Sequence, residues 1–292
     1  MTWFFIALSS AILSAFAAIT QKKVLLNRDA LEFSFLLSVT NLVLSIPFFF
    51  VINYSHLNTV NMTVLFIKSL IGVGAFLCVM IALKNLNISN ALPLLALTPG
   101  FVAVFAFLIL GESIKSIEIL GLILLITGTY ILESKSIRDL LFPLNIFIKS
   151  KYYNYILVAL LLFTASSIMD KLLLIRLNLT PVSLIAIQHF YFAVLFAAIY
   201  FYYAYKIKLP KILIRRNDIW WIILISVLTI GYRYTQVVAV SIASVAIVLA
   251  VKRTSVFWAT IIGGKIFNEK KLLKKTLAVI FIVAGTILIL RD

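Results

Sequence analysis

Ten apolar runs, each about the length of a membrane crossing, fill residues 2–22, 31–52, 60–83, 86–110, 114–133, 154–174, 181–205, 218–240, 242–266 and 271–290. A bilayer core takes about 20 apolar residues per helical crossing. Lipid offers the backbone no partners, and runs this long exceed barrel strands, so helix is the expected state. With 63% of residues hydrophobic and 12% charged, a soluble domain has no place for so much apolar surface. The expected fold is therefore an all-α polytopic membrane protein with ten transmembrane helices. The first run lacks a basic stretch ahead of its apolar core, and Gln21-Lys22-Lys23 makes a poor cleavage site. It is read as a retained helix and not a signal peptide.

A net charge of +16 in a soluble protein would point to nucleic acid. Here the charges read as topology determinants, and no nucleic-acid partner is expected. Loops on one side hold 18 basic residues, among them Lys22, Lys23, Arg28, Lys206, Lys208 and Lys271. The other side is assigned five, Lys68, Lys115, Lys171, Arg176 and Arg291. The positive-inside rule then puts the basic side in the cytoplasm and both termini outside, in the cell (plasma) membrane. The single cysteine, Cys78, and two histidines supply no metal motif and no disulfide framework.

The second half of the chain echoes the first. At an offset of 157, Glu112 meets Glu269, Gly128 meets Gly285, Thr129 meets Thr286, Gly74 meets Gly231 and Ala82 meets Ala239. At 149, Gln21-Lys22 meets Asp170-Lys171. The expected organisation is a first five-helix repeat over 1–133, a linker over 134–153 and a second repeat over 154–292. Five crossings is an odd number, so the second copy enters from the opposite face. Such an inverted pair suits alternating access about a midplane site.

Two five-helix repeats, each with Gly-Glu or a similar pair between its fourth and fifth helices and a glycine near the end of the fifth, resemble the EamA-type branch of the drug/metabolite transporter superfamily. Thr98-Pro99 is similar to the family's fourth-helix pattern. The second half departs from it, with Val256 in the proline's place after Lys252-Arg253-Thr254-Ser255. The resemblance implies a secondary transporter that hydrolyses no ATP. It names no substrate, because the family carries amino acids, sugars, nucleotide derivatives and other metabolites. Several relatives have cytoplasmic termini, the reverse of what the charges predict here.

Polar residues at helical spacing mark inward faces. Ser10, Ser14 and Gln21 share one, Ser34, Ser38, Asn41 and Ser45 another, and Ser226, Thr229, Arg233 and Gln236 a third. Small polar residues also pack helices together, but Asn41, Gln236 and Arg233 exceed what packing asks for. Arg233, Lys252 and Arg253 lie at bilayer depth, where a charge costs about 2.5–3.5 kcal/mol on insertion scales and usually faces a cavity or a partner. Acids are scarce: Glu32, Glu118, Glu133, Asp170 and Asp218 all fall near helix ends, and Asp170 has Lys171 beside it. An anionic or zwitterionic ligand would supply the missing charge. The expected substrate-binding residues are Lys252, Arg233, Asn41, Gln236, Tyr234 and Gln21. Glu112, Glu269, Pro99 and Asp170 are expected to be structural or gating residues.

No nucleophile–base pair, phosphate-cradling loop or metal cluster is evident, so no catalytic residue, cofactor or metal is expected. The reading is a secondary active transporter that moves a small polar metabolite (amino acid, sugar or anionic derivative) across the bilayer, driven by a gradient of substrate or of a coupling ion such as H+. The alternative is a membrane enzyme or lipid-linked-sugar handling protein with a basic intramembrane site.

Overall fold

The computed structural model describes residues 2–52, 57–95, 116–133, 151–207 and 216–268, with isolated positions at 54, between 98 and 109 and between 278 and 288. Every regular element among these residues is helical: α1 (Thr2–Leu25), α2 (Ala30–Leu44), the single turn α3 (Ile46–Phe49), α4 (Thr59–Asn85), α5 (Ile88–Leu95), α6 (Ser116–Glu133), α7 (Lys151–Lys171), α8 (Pro181–Ile207), α9 (Arg216–Ile242), α10 (Val245–Arg253) and α11 (Ser255–Ile266). Six segments among the described residues are long and apolar enough to cross a membrane: Thr2–Leu25, Thr59–Asn85, Lys151–Arg176, Pro181–Lys206, Asp218–Ile242 and Val245–Ile266. Large apolar side chains such as Phe5, Leu70 and Trp220 stay exposed on their outer faces, which suits lipid and not water. The chain is a multi-pass membrane protein. Of the residues expected to gate or support the fold, Glu112, Glu269 and Pro99 lie outside the described residues.

Two expected crossings are broken. The run over 31–52 ends as regular helix at Leu44, and Ser45 separates it from α3. Pro47 has no amide hydrogen to donate and its ring crowds the carbonyl four residues back, at Val43, and the Ser45 hydroxyl donates to the Asn41 carbonyl at 2.6 Å, a back-bond that bends helices. The run over 242–266 divides at Thr254, whose hydroxyl and amide both donate to the Val251 carbonyl, at 2.8 and 3.1 Å. Lys252 and Arg253 are therefore not mid-helix. They close α10, where the unsatisfied carbonyls favour positive charge.

Packing pairs the first long helix of each half with the third-crossing helix of the other: α1 lies on α9, and α4 on α7. Close approach needs small residues. Ala7, Ala11 and Ala15, at i, i+4 and i+8, are buried along α1. A Cβ at Gly231 of α9 would sit 3.1 Å from Leu13 Cδ1 of α1, and one at Gly74 of α4 would sit 3.4 Å from Leu162 Cδ1 of α7. Leu13 and Leu162 are 149 residues apart, and the two glycines 157, so one contact recurs with the halves exchanged.

A lysine cap recurs in the same way. Lys22 Nζ, at the end of α1, donates to the carbonyls of Leu83 at 2.5 Å and Leu86 at 2.9 Å, at the end of α4. Lys171 Nζ, at the end of α7, donates to those of Val240 at 3.0 Å and Ala243 at 2.6 Å, at the end of α9. Lys171 is thus a helix cap and neither the local partner of Asp170 nor a loop charge. The C-terminal ends of α4 and α9, Asn85 and Ile242, also differ by 157. Lys22→Met and Lys171→Met should each cost about 1.5–3 kcal/mol, the worth of a charge-assisted hydrogen bond. Thermal unfolding in detergent measures this, and unchanged stability in both variants would show the caps to be dispensable.

Candidate functional site

The faces of α1, α2, α4, α5, α7, α8, α9 and α10 line a cavity of ≈ 160 Å³. That is room for on the order of ten waters, or for one small metabolite. Its wall mixes apolar side chains such as Phe76 and Phe163 with the polar faces read from the helical spacings: Ser14 and Gln21 of α1, Ser34, Ser38 and Asn41 of α2, and Thr229, Arg233 and Gln236 of α9.

The charge on the wall has one sign. Arg233, Lys252 and Arg253 line the cavity, and no carboxylate among the described residues does. Lys252 Nζ donates to Gln236 Oε1 and lies 4.7 Å from the centroid of the Tyr232 ring, close enough for a cation–π contact. Arg253 Nη2 donates to Thr98 Oγ1 at 2.9 Å, and its Nε is buried with no partner among the described residues. The adjacent cations take different partners, as their roughly 100° separation on a helix requires, yet both reach one cavity. Asn41 Oδ1 is also buried without a partner among the described residues, a state that proteins seldom leave uncompensated.

From Arg233 and Gln188 on this wall, a ring of four polar groups, three of them buried, joins four helices. Lys68 Nζ of α4 lies 2.7 Å from Asp170 Oδ1 of α7. Asp170 Oδ2 lies 3.2 Å from Arg233 Nη2, which also donates to Gln188 Oε1 of α8 at 2.9 Å. The same Gln188 oxygen accepts from Lys68 Nζ at 2.6 Å. Lys68 is fully buried and belongs to this ring, not to a loop of the sparsely charged side. Asp170 is a deep partner of two cations, not a marginal end residue. The missed signal was Lys68 itself, eight residues inside the run 60–83.

Of the six residues expected to bind substrate, Lys252, Arg233, Asn41, Gln236 and Gln21 line the cavity. Tyr234 does not. It is 37% exposed and its ring packs 6.0 Å from that of Phe48, while Tyr232 takes the place on the wall. His189 also lines the cavity, with Nδ1 held 2.6 Å from Ser45 Oγ.

Outside the bilayer core, Arg28 follows α1 and bonds both Glu32 of α2 and Asp218 of α9, the latter at 2.6 Å. Nearby, Asp29 caps α2 through the Leu31 amide and meets Lys84 Nζ at 3.1 Å. Burial would raise the Asp29 carboxyl, but the Lys84 and backbone hydrogen bonds outweigh it and hold it below the usual carboxylate range. At another point between the halves, Asn61 Nδ2 of α4 donates to the Leu177 carbonyl at 3.2 Å.

The EamA-like transporter family matches residues 1–134. No curated protein matches the chain. A solved structure, described only as a crystal structure of a protein, aligns over 100% of this chain and 99% of its own, with a TM-score of 0.74 at 13% identity. That similarity is one of fold alone.

Proposed function

We propose that this EamA-type membrane transporter moves a small anionic metabolite by alternating access, with the cavity beside Lys252, Arg253 and Arg233 as its binding site. One observation carries the reading: three cations line the cavity and no carboxylate among the described residues faces it. An anion supplies the charge that is missing. An amine would meet repulsion, and a zwitterion would find no described carboxylate for its ammonium group. Lys252 and Arg253 grip the acidic group of the substrate. Asn41 and Gln236 orient its polar remainder, Asn41 through an oxygen left unpaired until a ligand donates to it.

In this proposal residues 1–133 and 154–292 are inverted five-helix repeats joined by 134–153, and the whole makes ten crossings. The support is the recurrence of the Gly–Leu contact, the lysine cap and the C-terminal ends of α4 and α9 at the sequence offsets of 149 and 157. Two further contacts between the halves obey the same offsets. Arg28 and Leu177 differ by 149, and Asp218 and Asn61 by 157. A twofold axis in the membrane plane places these clasps at opposite faces, each able to open in turn about the site. Both termini lie outside the cytoplasm. Moving Lys68 and Lys171 off the sparsely charged side deepens the basic bias that supports this orientation.

An enzyme at this site would need an activated nucleophile or an acid. The Ser45 hydroxyl beside His189 is fully buried and also reaches the Asn41 carbonyl at 2.6 Å, which disfavours a nucleophilic role.

The test is a thermal-shift screen of the purified protein against dicarboxylates, phosphate monoesters, zwitterionic amino acids and polyamines. A ligand at 100 times its Kd stabilises the protein by about 2.7 kcal/mol. Stabilisation is expected from anions. Stabilisation by polyamines alone, or by nothing anionic, overturns the reading.

A further inference from the structure

We infer that Asp170 and Lys68, neither of which lines the cavity, set how tightly it holds an anion: Asp170 holds Arg233 back, and Lys68 competes with Arg233 for Asp170. This rests on reading the cavity as an anion site. Arg233 is split between two tasks. Its Nη2 is held from behind by Asp170 at 3.2 Å and Gln188 at 2.9 Å, while the side chain, 16% exposed, reaches the cavity. A guanidinium has five donors in a planar fork, so an anion that draws Arg233 forward must win it from a fixed internal carboxylate. That carboxylate is itself shared, because Lys68 approaches Asp170 more closely, at 2.7 Å. Lys68 therefore weakens Asp170's hold on Arg233, and Asp170 weakens the grip of Arg233 on a substrate. A site with three cations on its wall would otherwise bind an anion too tightly to release it. Asp170 and Lys68 are thus positioning residues that act through Arg233.

Opposite signs follow for the two variants. Asp170→Asn frees Arg233 and should tighten binding about tenfold, the scale of one charge-assisted hydrogen bond. Lys68→Met leaves Asp170 with Arg233 alone and should weaken binding several-fold, and Lys68→Arg should restore it. A general electrostatic field would produce the same signs, so Arg233 decides the matter. In an Arg233→Gln background, Asp170→Asn should shift affinity no further, because interacting residues fail to add.

Calorimetry on the full chain in detergent, with succinate and inorganic phosphate as probes, reads all of these. If Asp170→Asn does not fold, the Lys68→Met/Asp170→Asn protein, which loses one charge of each sign, takes its place and should bind more tightly than Lys68→Met. Unchanged or weaker binding in the Asp170 variants, or an equal shift without Arg233, overturns the inference while the anion site stands. Binding of neither probe by the unaltered protein overturns the anion site and this inference with it.

Discussion

Lys252→Met should abolish binding of the anionic substrate in a protein that still inserts and folds. Lys252 closes α10 beside a helix break, bonds Gln236, and has the Tyr232 ring beneath it. None of these partners carries a negative charge, so in the proposed site the ammonium is available to an anionic ligand. A charge-assisted bond to the substrate is worth about 1.5–3 kcal/mol, and losing it lowers affinity roughly ten- to 150-fold. Removing a half-buried cation with no acidic partner among the described residues should also ease insertion, so expression should hold or rise. Arg253→Gln should be milder, because Thr98 already takes one of its donors. Isothermal calorimetry on the folded variants decides the matter, and undiminished binding in Lys252→Met would remove this residue from the site.

The crossings were legible because the bilayer sets their length. The run predicted over 60–83 is Thr59–Asn85, and the one over 218–240 ends at Ile242. The sequence offsets also paired Gly74 with Gly231 and Lys22 with Lys171, residues that make matching contacts. Partnership between distant residues was not. Lys68 and Asp170 are 102 positions apart, and only packing of α4 on α7 brings them together. Counting Lys68 with loop charges ignored its own depth in an apolar run.

Tyr234 is a different kind of miss, because the spacing already held the answer. Thr229, Tyr232 and Gln236 follow i, i+3 and i+7, which is one helical face. Tyr234 is two residues from Tyr232 and Gln236, about 200° around the helix. The breaks at Ser45 and Thr254 were harder to foresee. Hydroxyls bonding back to carbonyls change the path of a helix without changing its hydropathy.

Arg28→Met should open the face of the protein that carries it. The Arg28 side chain is 8% exposed and holds Glu32 of the first half and Asp218 of the second. Taking one partner from a buried ionic contact costs about 3–5 kcal/mol, because opposing charges are left uncompensated. Here two carboxylates would face each other across the seam, and their repulsion favours separation. The loss falls only on the state in which this face is closed, so a shift of that size moves a two-state balance by about two to four orders of magnitude. The opposite clasp, Asn61 to Leu177, involves a neutral amide, and Asn61→Ala should have a smaller effect. The readout is a cysteine at Ser38, on the cavity wall, in a Cys78→Ala background. Its labelling by an impermeant thiol reagent is compared in right-side-out and inside-out vesicles. Arg28→Met should raise labelling strongly from one side only, the cytoplasmic side if the basic loops are inside. Asp218→Asn should raise it from that same side to a lesser degree, because the neutral amide can still accept from Arg28 and no pair of carboxylates is left facing across the seam. Labelling that stays level, or that rises from the side opposite the Arg28 loop, would mean that this clasp is not a gate.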